Sequence, residues 1–223
     1  MALQVIENGV TYNVKKQEAT LLKLTDKSKM DLVIPATISG KPVTKIATRA
    51  FAKSNIRNLN LPNSIRDIGA SAFECCEKLE YILQYGTLTN SVIGISQKAF
   101  KNCSNLKELN LKYSLLILGS EVFTGCTQLH VLPAIISVSV LTKNMFKDCL
   151  SLDLLEFEGP HIAKIEDGAF NNCPCLSEMV FKCKVELSNY IRQLLKKIDI
   201  TTNDEQNLLD LAYEGYSIRV YKS

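Results

Sequence analysis

Eight cysteines, two histidines and a few paired acids are the residues here whose types suit nucleophilic, metal-binding or proton-transfer chemistry. A metal site needs ligands that converge on one point, usually through C-x₂₋₄-C pairs. Five of the cysteines lack that spacing: Cys76, Cys103, Cys126, Cys149 and Cys173 follow one another at 27, 23, 23 and 24 residues. A thiol recurring once per structural unit makes a ladder, and stacked side chains point in parallel rather than at each other. The ladder therefore reads as buried free thiols, small apolar fillers with a weak S–H donor, not as disulfides or metal ligands. Three cysteines lie off it. Cys75 adjoins Cys76 and is expected to point away from the core. Cys175 falls where Lys78, Asn105, Gln128 and Ser151 stand in other units, so it is expected at the surface. Cys183 follows Phe181, and a Cys173/Cys175/Cys183 site with His161 is the thiol or metal alternative, resting on a bare C-x-C.

The remaining candidates read as surface. His130 and His161 are surface or strand-edge residues rather than general bases. Glu156/Glu158 and Glu166/Asp167 are solvated faces, with Glu156 and Glu158 on one strand face. Asn102-Cys103-Ser104 fits the glycosylation sequon, but Cys103 is assigned inward. No dinucleotide-binding, Walker, H-E-x-x-H or G-x-S-x-G motif occurs. The expectation is a protein without catalytic residues, metal or cofactor.

The elements that position these residues repeat. Phe51, Phe73, Phe100, Phe123, Phe146 and Phe170 are spaced by 22, 27, 23, 23 and 24 residues. Each is preceded by Ala50, Ala72, Ala99, Val122, Met145 or Ala169. Five places upstream stand Ile46, Ile68, Ile95, Leu118, Leu141 and Ile165. Three places downstream stand Ser54 and then the five ladder cysteines. Six places downstream stand Leu79, Leu106, Leu129, Leu152 and Leu176, with Ile56 in a first copy one residue shorter. Each copy ends in an alternating segment such as Leu106-x-x-Leu109-x-Leu111, the period-2 signature of a half-buried strand. Copies two and four depart from it, with Gln84 and Ala134 at inward places. A second short apolar segment precedes each phenylalanine, as in Val43–Ile46, Ile65–Ile68 and Ile162–Ile165. Six copies at this period predict a solenoid whose coils bury their apolar faces on one another.

The pattern I-x-x-x-A-F-x-x-C-x-x-L-x-x-I/L-x-L, over residues 32–183, resembles the BspA-type leucine-rich repeat of bacteria and parasitic protists. The resemblance implies a right-handed curved leucine-rich repeat solenoid, mostly β with short turns and 3-10 pieces. It also implies an adhesion or recognition module, often at a cell surface, without catalysis.

Both ends need caps, because a terminal coil otherwise exposes its apolar end and an unpaired strand. Residues 1–43 are read as an N-terminal cap, with a β-hairpin around Val10–Val14 and Thr20–Leu24 and a degenerate repeat at Leu32-Val33-Ile34-Pro35. Residues 44–183 hold the six repeats. Residues 184–223 are read as a helical C-terminal cap: a helix from Ser188 with Ile191, Leu194, Leu195 and Ile198 on one stripe, and a second from Thr202. A short strand with Ile218 and Val220 follows. The extra residues around Tyr85–Asn90 are a loop on the binding face or a tolerated insertion.

Function in such an array falls to the outward half of the strands. The outward set includes Tyr81, Leu83 and Tyr85, then Glu108, Asn110 and Lys112, then Val131, Pro133 and Ile135, and Glu156. Two of these groups are apolar for a solvent face, and exposed apolar patches mark interaction sites. The expected partner is a protein ligand on the concave strand face. The alternative is an intracellular scaffold or a self-assembling structural protein, a homo-oligomer through that face. A net charge of +3 with no basic cluster argues against nucleic acid, and no apolar run is long enough for membrane insertion. The first nine residues have no signal-like core, which leaves an intracellular protein, a trimmed signal or unconventional export. Free thiols fit a reducing compartment, the resemblance fits a cell surface, and localisation stays open.

Overall fold

The A-F-x-x-C segment is where each coil is closed and fastened to its neighbours. In a computed structural model of the chain, residues 3–86, 93–111, 115–130, 132, 135–136, 140–162, 164–176, 178–185 and 218–221 are described. Side chains are described within 3–86, 94–111, 118–130, 132, 140–156 and 165–176. The helices expected after Ser188 lie outside the described residues. No helix occurs among the residues that are described.

The chain begins with an antiparallel hairpin, β1 (Leu3–Glu7) and β2 (Val10–Val14), continued by β3 (Ala19–Leu24). Asn8-Gly9 makes its turn with both φ angles positive, 51° and 79°. The first long-series strand, β4 (Asp31–Val33), follows, and then β5 (Thr37–Ile38) and β6 (Lys41–Ile46). From here long and short strands alternate, one of each per coil. They are β7 (Asn58–Pro62), β8 (Asp67–Ile68), β9 (Tyr81–Tyr85), β10 (Ile93–Ile95), β11 (Glu108–Asn110) and β12 (Leu115–Leu118). Next come β13 (Ile135–Ile136), β14 (Val140–Leu141), β15 (Leu154–Ile162), β16 (Lys164–Ile165), β17 (Glu178–Val185) and β18 (Ile218–Tyr221). The long strands stack in parallel as β4-β7-β9-β11 and as β13-β15-β17, and β18 adds antiparallel to β17. The short strands β6, β8, β10 and β12 stack in parallel on the opposite wall, and β3 joins the hairpin to them. The result is a β-solenoid with one apolar interior, as the repeat predicts.

That interior is filled by the repeated positions. Phe51, Phe73, Phe100, Phe123, Phe146 and Phe170 stack in one column, ring centroids 5.0 to 5.7 Å apart and planes within 11° of parallel. Such separations fall in the range of about 4.5–7 Å over which aromatic pairs attract. Beside them run the buried Ile46, Ile68, Ile95, Leu118, Leu141 and Ile165 and the buried leucines of the long strands.

The turn around each phenylalanine uses two left-handed residues, two places before it and two places after. Arg49 and Lys53, Ser71 and Cys75, Lys98 and Asn102, Glu121 and Gly125, Asn144 and Asp148, and Gly168 and Asn172 all have positive φ. Only two of these twelve are glycine, so most turns carry a conformational cost of about 1 kcal/mol per residue. The alternation directs every second N–H along the solenoid axis. Lys98, Phe100 and Asn102 donate to the carbonyls of Ser120, Val122 and Thr124 in the next coil, at 2.9, 3.0 and 2.8 Å. The intervening amides close local four-residue turns, as Lys101 does on Lys98.

Each ladder thiol donates in the reverse direction, to the phenylalanine carbonyl of the preceding coil. Cys76, Cys103, Cys126, Cys149 and Cys173 reach Phe51, Phe73, Phe100, Phe123 and Phe146 at 2.9, 3.0, 3.1, 3.2 and 2.9 Å. Ser54 holds this position in the first copy, which has no preceding phenylalanine turn, and it meets Cys76 Sγ at 3.5 Å. Two glycine corners tighten the stack: a Cβ on Gly69 would lie 2.6 Å from the Thr48 nitrogen, and one on Gly119 would strike Gln97.

Phe100 has a ring neighbour on both sides, so Phe100→Ala should cost about 3–5 kcal/mol in urea unfolding. Leu83→Ala on the outer strand face should cost less than about 0.5 kcal/mol. Equal effects would contradict the stacked core.

Candidate strand-face site

The parallel register sets the outward side chains in rows across the coils. One row is Asp31, Asn58, Tyr81 and Glu108; the next is Val33, Asn60, Leu83 and Asn110. The inward positions between them, Leu32, Leu59, Ile82 and Leu109, are buried. A strand's two-residue period thus fixes which side chains can meet a partner. Leu83 is 39% exposed and Asn110 is exposed, while Tyr81 and Glu108 are half-buried. Asn58 Nδ2 donates to Asp31 Oδ1 at 2.6 Å, which orders the polar side of the first row.

A charged triad flanks these rows at the residue before each strand. Glu80 accepts from Arg57 Nε at 2.7 Å through one oxygen and from Lys107 Nζ at 2.7 Å through the other. The two cations hold the Glu80 carboxyl below the usual carboxylate range, Lys107 first and Arg57 second. Lys107 is correspondingly pushed up by Glu80. Its ammonium also stands 5.5 Å from the centre of the Tyr81 ring, within cation–π range. The triad therefore orients Tyr81 from one side. Its alternating signs, one coil apart, were readable in the sequence at the place just ahead of each strand. A similar set ties the opposite wall, where Lys45 lies 3.6 Å from Glu18 and 3.7 Å from Asp67.

The other expected contact residues divide. Tyr85 is half-buried, and its hydroxyl donates to the Ile34 carbonyl at 2.5 Å, so part of it ties the coils together. Burial pushes its hydroxyl pKa up. Glu156 is half-buried and pairs in register with Val180. Lys112, Val131 and Pro133 lie outside the described residues. The ladder pairs Ile135 with Phe157, one place from the count based on Phe123, so Ile135 shares the register row of Phe157. Gln84, the irregular inward residue of copy two, is buried.

The thiols divide as well. Cys76, Cys103, Cys126 and Cys149 are buried, Cys75 and Cys173 are half-buried, and Cys175 is exposed. Burial pushes the Cys126 thiol up to about 12 and the Cys173 thiol up to about 11. It raises Cys103 and Cys149 as well. Cys75 lines an open groove of about 350 Å³ with Lys53, Ser54, Asn55, Glu77 and Lys78, beside the shortened loop of the first copy. The side chains of Cys183 and His161 lie outside the described ones. Among the described residues no three His, Cys, Asp or Glu side chains are grouped for a metal. His130 is exposed, with Nδ1 3.2 Å from the Ser151 carbonyl.

A thiolate is the reactive form of cysteine. In the folded chain at pH 8, a disulfide reagent should therefore label Cys75 and Cys175 and spare Cys103, Cys126 and Cys149, read by peptide mass analysis. Rapid labelling of the ladder would contradict its burial. For the triad, a depressed carboxyl stabilises the fold above its ordinary value of 4.5 and loses that contribution as pH falls through the folded value. Glu80→Gln should accordingly lower the melting temperature at pH 7 and leave it nearly unchanged from wild type at acid pH. A difference that persists in acid would contradict the ion pairing.

Comparison with known proteins bears on the whole array. The model of the BspA type leucine rich repeat region matches six copies here, over residues 32–84 and 82–197. No curated protein matches the chain significantly. Among solved structures, the T. pallidum leucine rich repeat protein superposes with a TM-score of 0.68 at 23% identity, over 89% of this chain and 97% of that one. A leucine rich cell surface protein from Faecalibacterium prausnitzii gives a TM-score of 0.66 at 23% identity, over 82% of this chain and 55% of that one. The chain thus spans about half the length of the F. prausnitzii protein. These likenesses concern the fold. With the repeat matched in six copies and the coils stacked as that repeat requires, the chain belongs to the BspA-type leucine-rich repeat family.

Proposed function

We propose that this chain is a non-catalytic recognition module that binds a protein ligand on its strand face. The observation that carries the reading is the outward pair Tyr81 and Leu83. Leu83 is an exposed large apolar residue in the middle of a parallel sheet, and Tyr81 beside it is oriented by Lys107. Amide and acid side chains, Asn58, Asn60, Glu108 and Asn110, flank them in register. An apolar and aromatic centre within a polar rim is the anatomy of a protein interface. The family supports the reading, since repeat arrays of this kind present extended concave surfaces to partners. The cell-surface designation of the F. prausnitzii relative supports display outside the cell, as an adhesion module. Val131 and Pro133 would extend the face toward the later coils, with Lys112 between the two parts and Glu156 beyond.

A photo-crosslinking residue placed at position 83 should capture a discrete protein partner from the native surroundings, and one placed at Lys53 on the turn side should not. Leu83→Asp should weaken capture by a probe at position 110 about 10-fold or more, with no change in melting temperature. Equal capture from positions 83 and 53 would move the site elsewhere.

A further inference from the structure

We propose that the edge strand β1 pairs antiparallel with β1 of a second copy across a two-fold axis, so that the short-strand sheet runs through a dimer. Open strand edges template pairing, and native proteins usually blunt them. Two other strand edges of this solenoid are treated in such ways. At the N-terminal edge of the long-strand sheet, β4 has three residues and carries the charged Asp31. At the far end, β17 is covered by the antiparallel β18. β1 is treated differently. It has five residues, Leu-Gln-Val-Ile-Glu, with neither lysine nor proline. Among the described residues it pairs with β2 and with nothing on its outer side. Leu3 and Ile6 are 59% and 67% exposed, more than any other large hydrophobic residue described. Beside the exposed Gln4 and Glu7, the strand thus presents two large apolar side chains to solvent.

The free N–H and C=O groups of an edge call for a strand, and the sequence of β1 makes a second copy the fitting one. An axis through Val5 sets Val5 against its own copy, Leu3 opposite Glu7, and Gln4 opposite Ile6. On one face Leu3 and Val5 of both chains adjoin across the axis. On the other the two Ile6 side chains are diagonal neighbours, within reach of each other. No like charges stand opposite, because each Glu7 faces a Leu3. A single axis thus covers both exposed apolar residues and closes the assembly as a dimer. β1 belongs to the short-strand sheet and Tyr81 and Leu83 to the long-strand sheet, so the interface does not use the proposed ligand face.

Sedimentation of the 223-residue chain over a concentration series should show a dimer, twice the 24.9 kDa of one chain. Ile6→Lys and, separately, Leu3→Lys should each give a monomer that still unfolds in one cooperative transition, since both side chains are exposed in the single chain. Leu83→Lys should leave the dimer intact. A chain that stays monomeric at every concentration, a dimer insensitive to both β1 variants, one lost in Leu83→Lys, or an open-ended series of larger species would each overturn the proposal.

Discussion

The structure depends on what happens at one backbone carbonyl per coil, that of the repeat phenylalanine. The carbonyl of Phe73 accepts the amide of Cys76 within its own turn at 3.0 Å and the thiol of Cys103 from the next coil, also at 3.0 Å. Both lone pairs of a buried acceptor are thereby used, as its burial demands. The Phe73 amide donates to the Ala99 carbonyl of that same following coil at 2.8 Å. Donors thus run in both directions through the same turn, and the ring stacks on its neighbours beside them. The left-handed residues on either side are the conformational cost of this arrangement. It offsets that cost by replacing solvated amides with a continuous ladder where the chain has no strand.

This fastening explains why the long strands can differ so widely outward while remaining in register. Register here is set mainly by the turn and the inward leucines, which leaves most outward positions free to vary. The array can carry Asn58, Tyr81 and Glu108 in one row without altering a coil. Recognition by such a face is a matter of which side chains a rigid frame displays, and preorganisation limits the ordering cost of binding.

The sequence made the architecture legible because its determinants recur. The phenylalanine interval, the cysteine ladder and the alternating leucines each appear several times, and repetition separates them from chance. The thiol's acceptor was not readable, since it is a main-chain atom of another coil. Nor were the left-handed positions, where Arg49, Lys53 and Glu121 stand in place of the usual glycine or asparagine. The site was less legible than the fold for a physical reason: its residues are specific to single copies. Tyr85 has the spacing of an outward residue, yet its hydroxyl reaches back to Ile34. Ile135 falls one register place from its count because the fourth copy breaks the alternation that makes the count valid.

The turns, and not the strands alone, lock each coil to the next. Native-state amide hydrogen exchange tests it residue by residue. The account predicts that Lys98, Phe100 and Asn102 exchange as slowly as the strand amides of Ile82 and Leu109, and that they lose protection together when Cys103 and Phe100 are both replaced by alanine. Fast exchange at those three amides in the intact protein, with slow exchange confined to the strands, would contradict it.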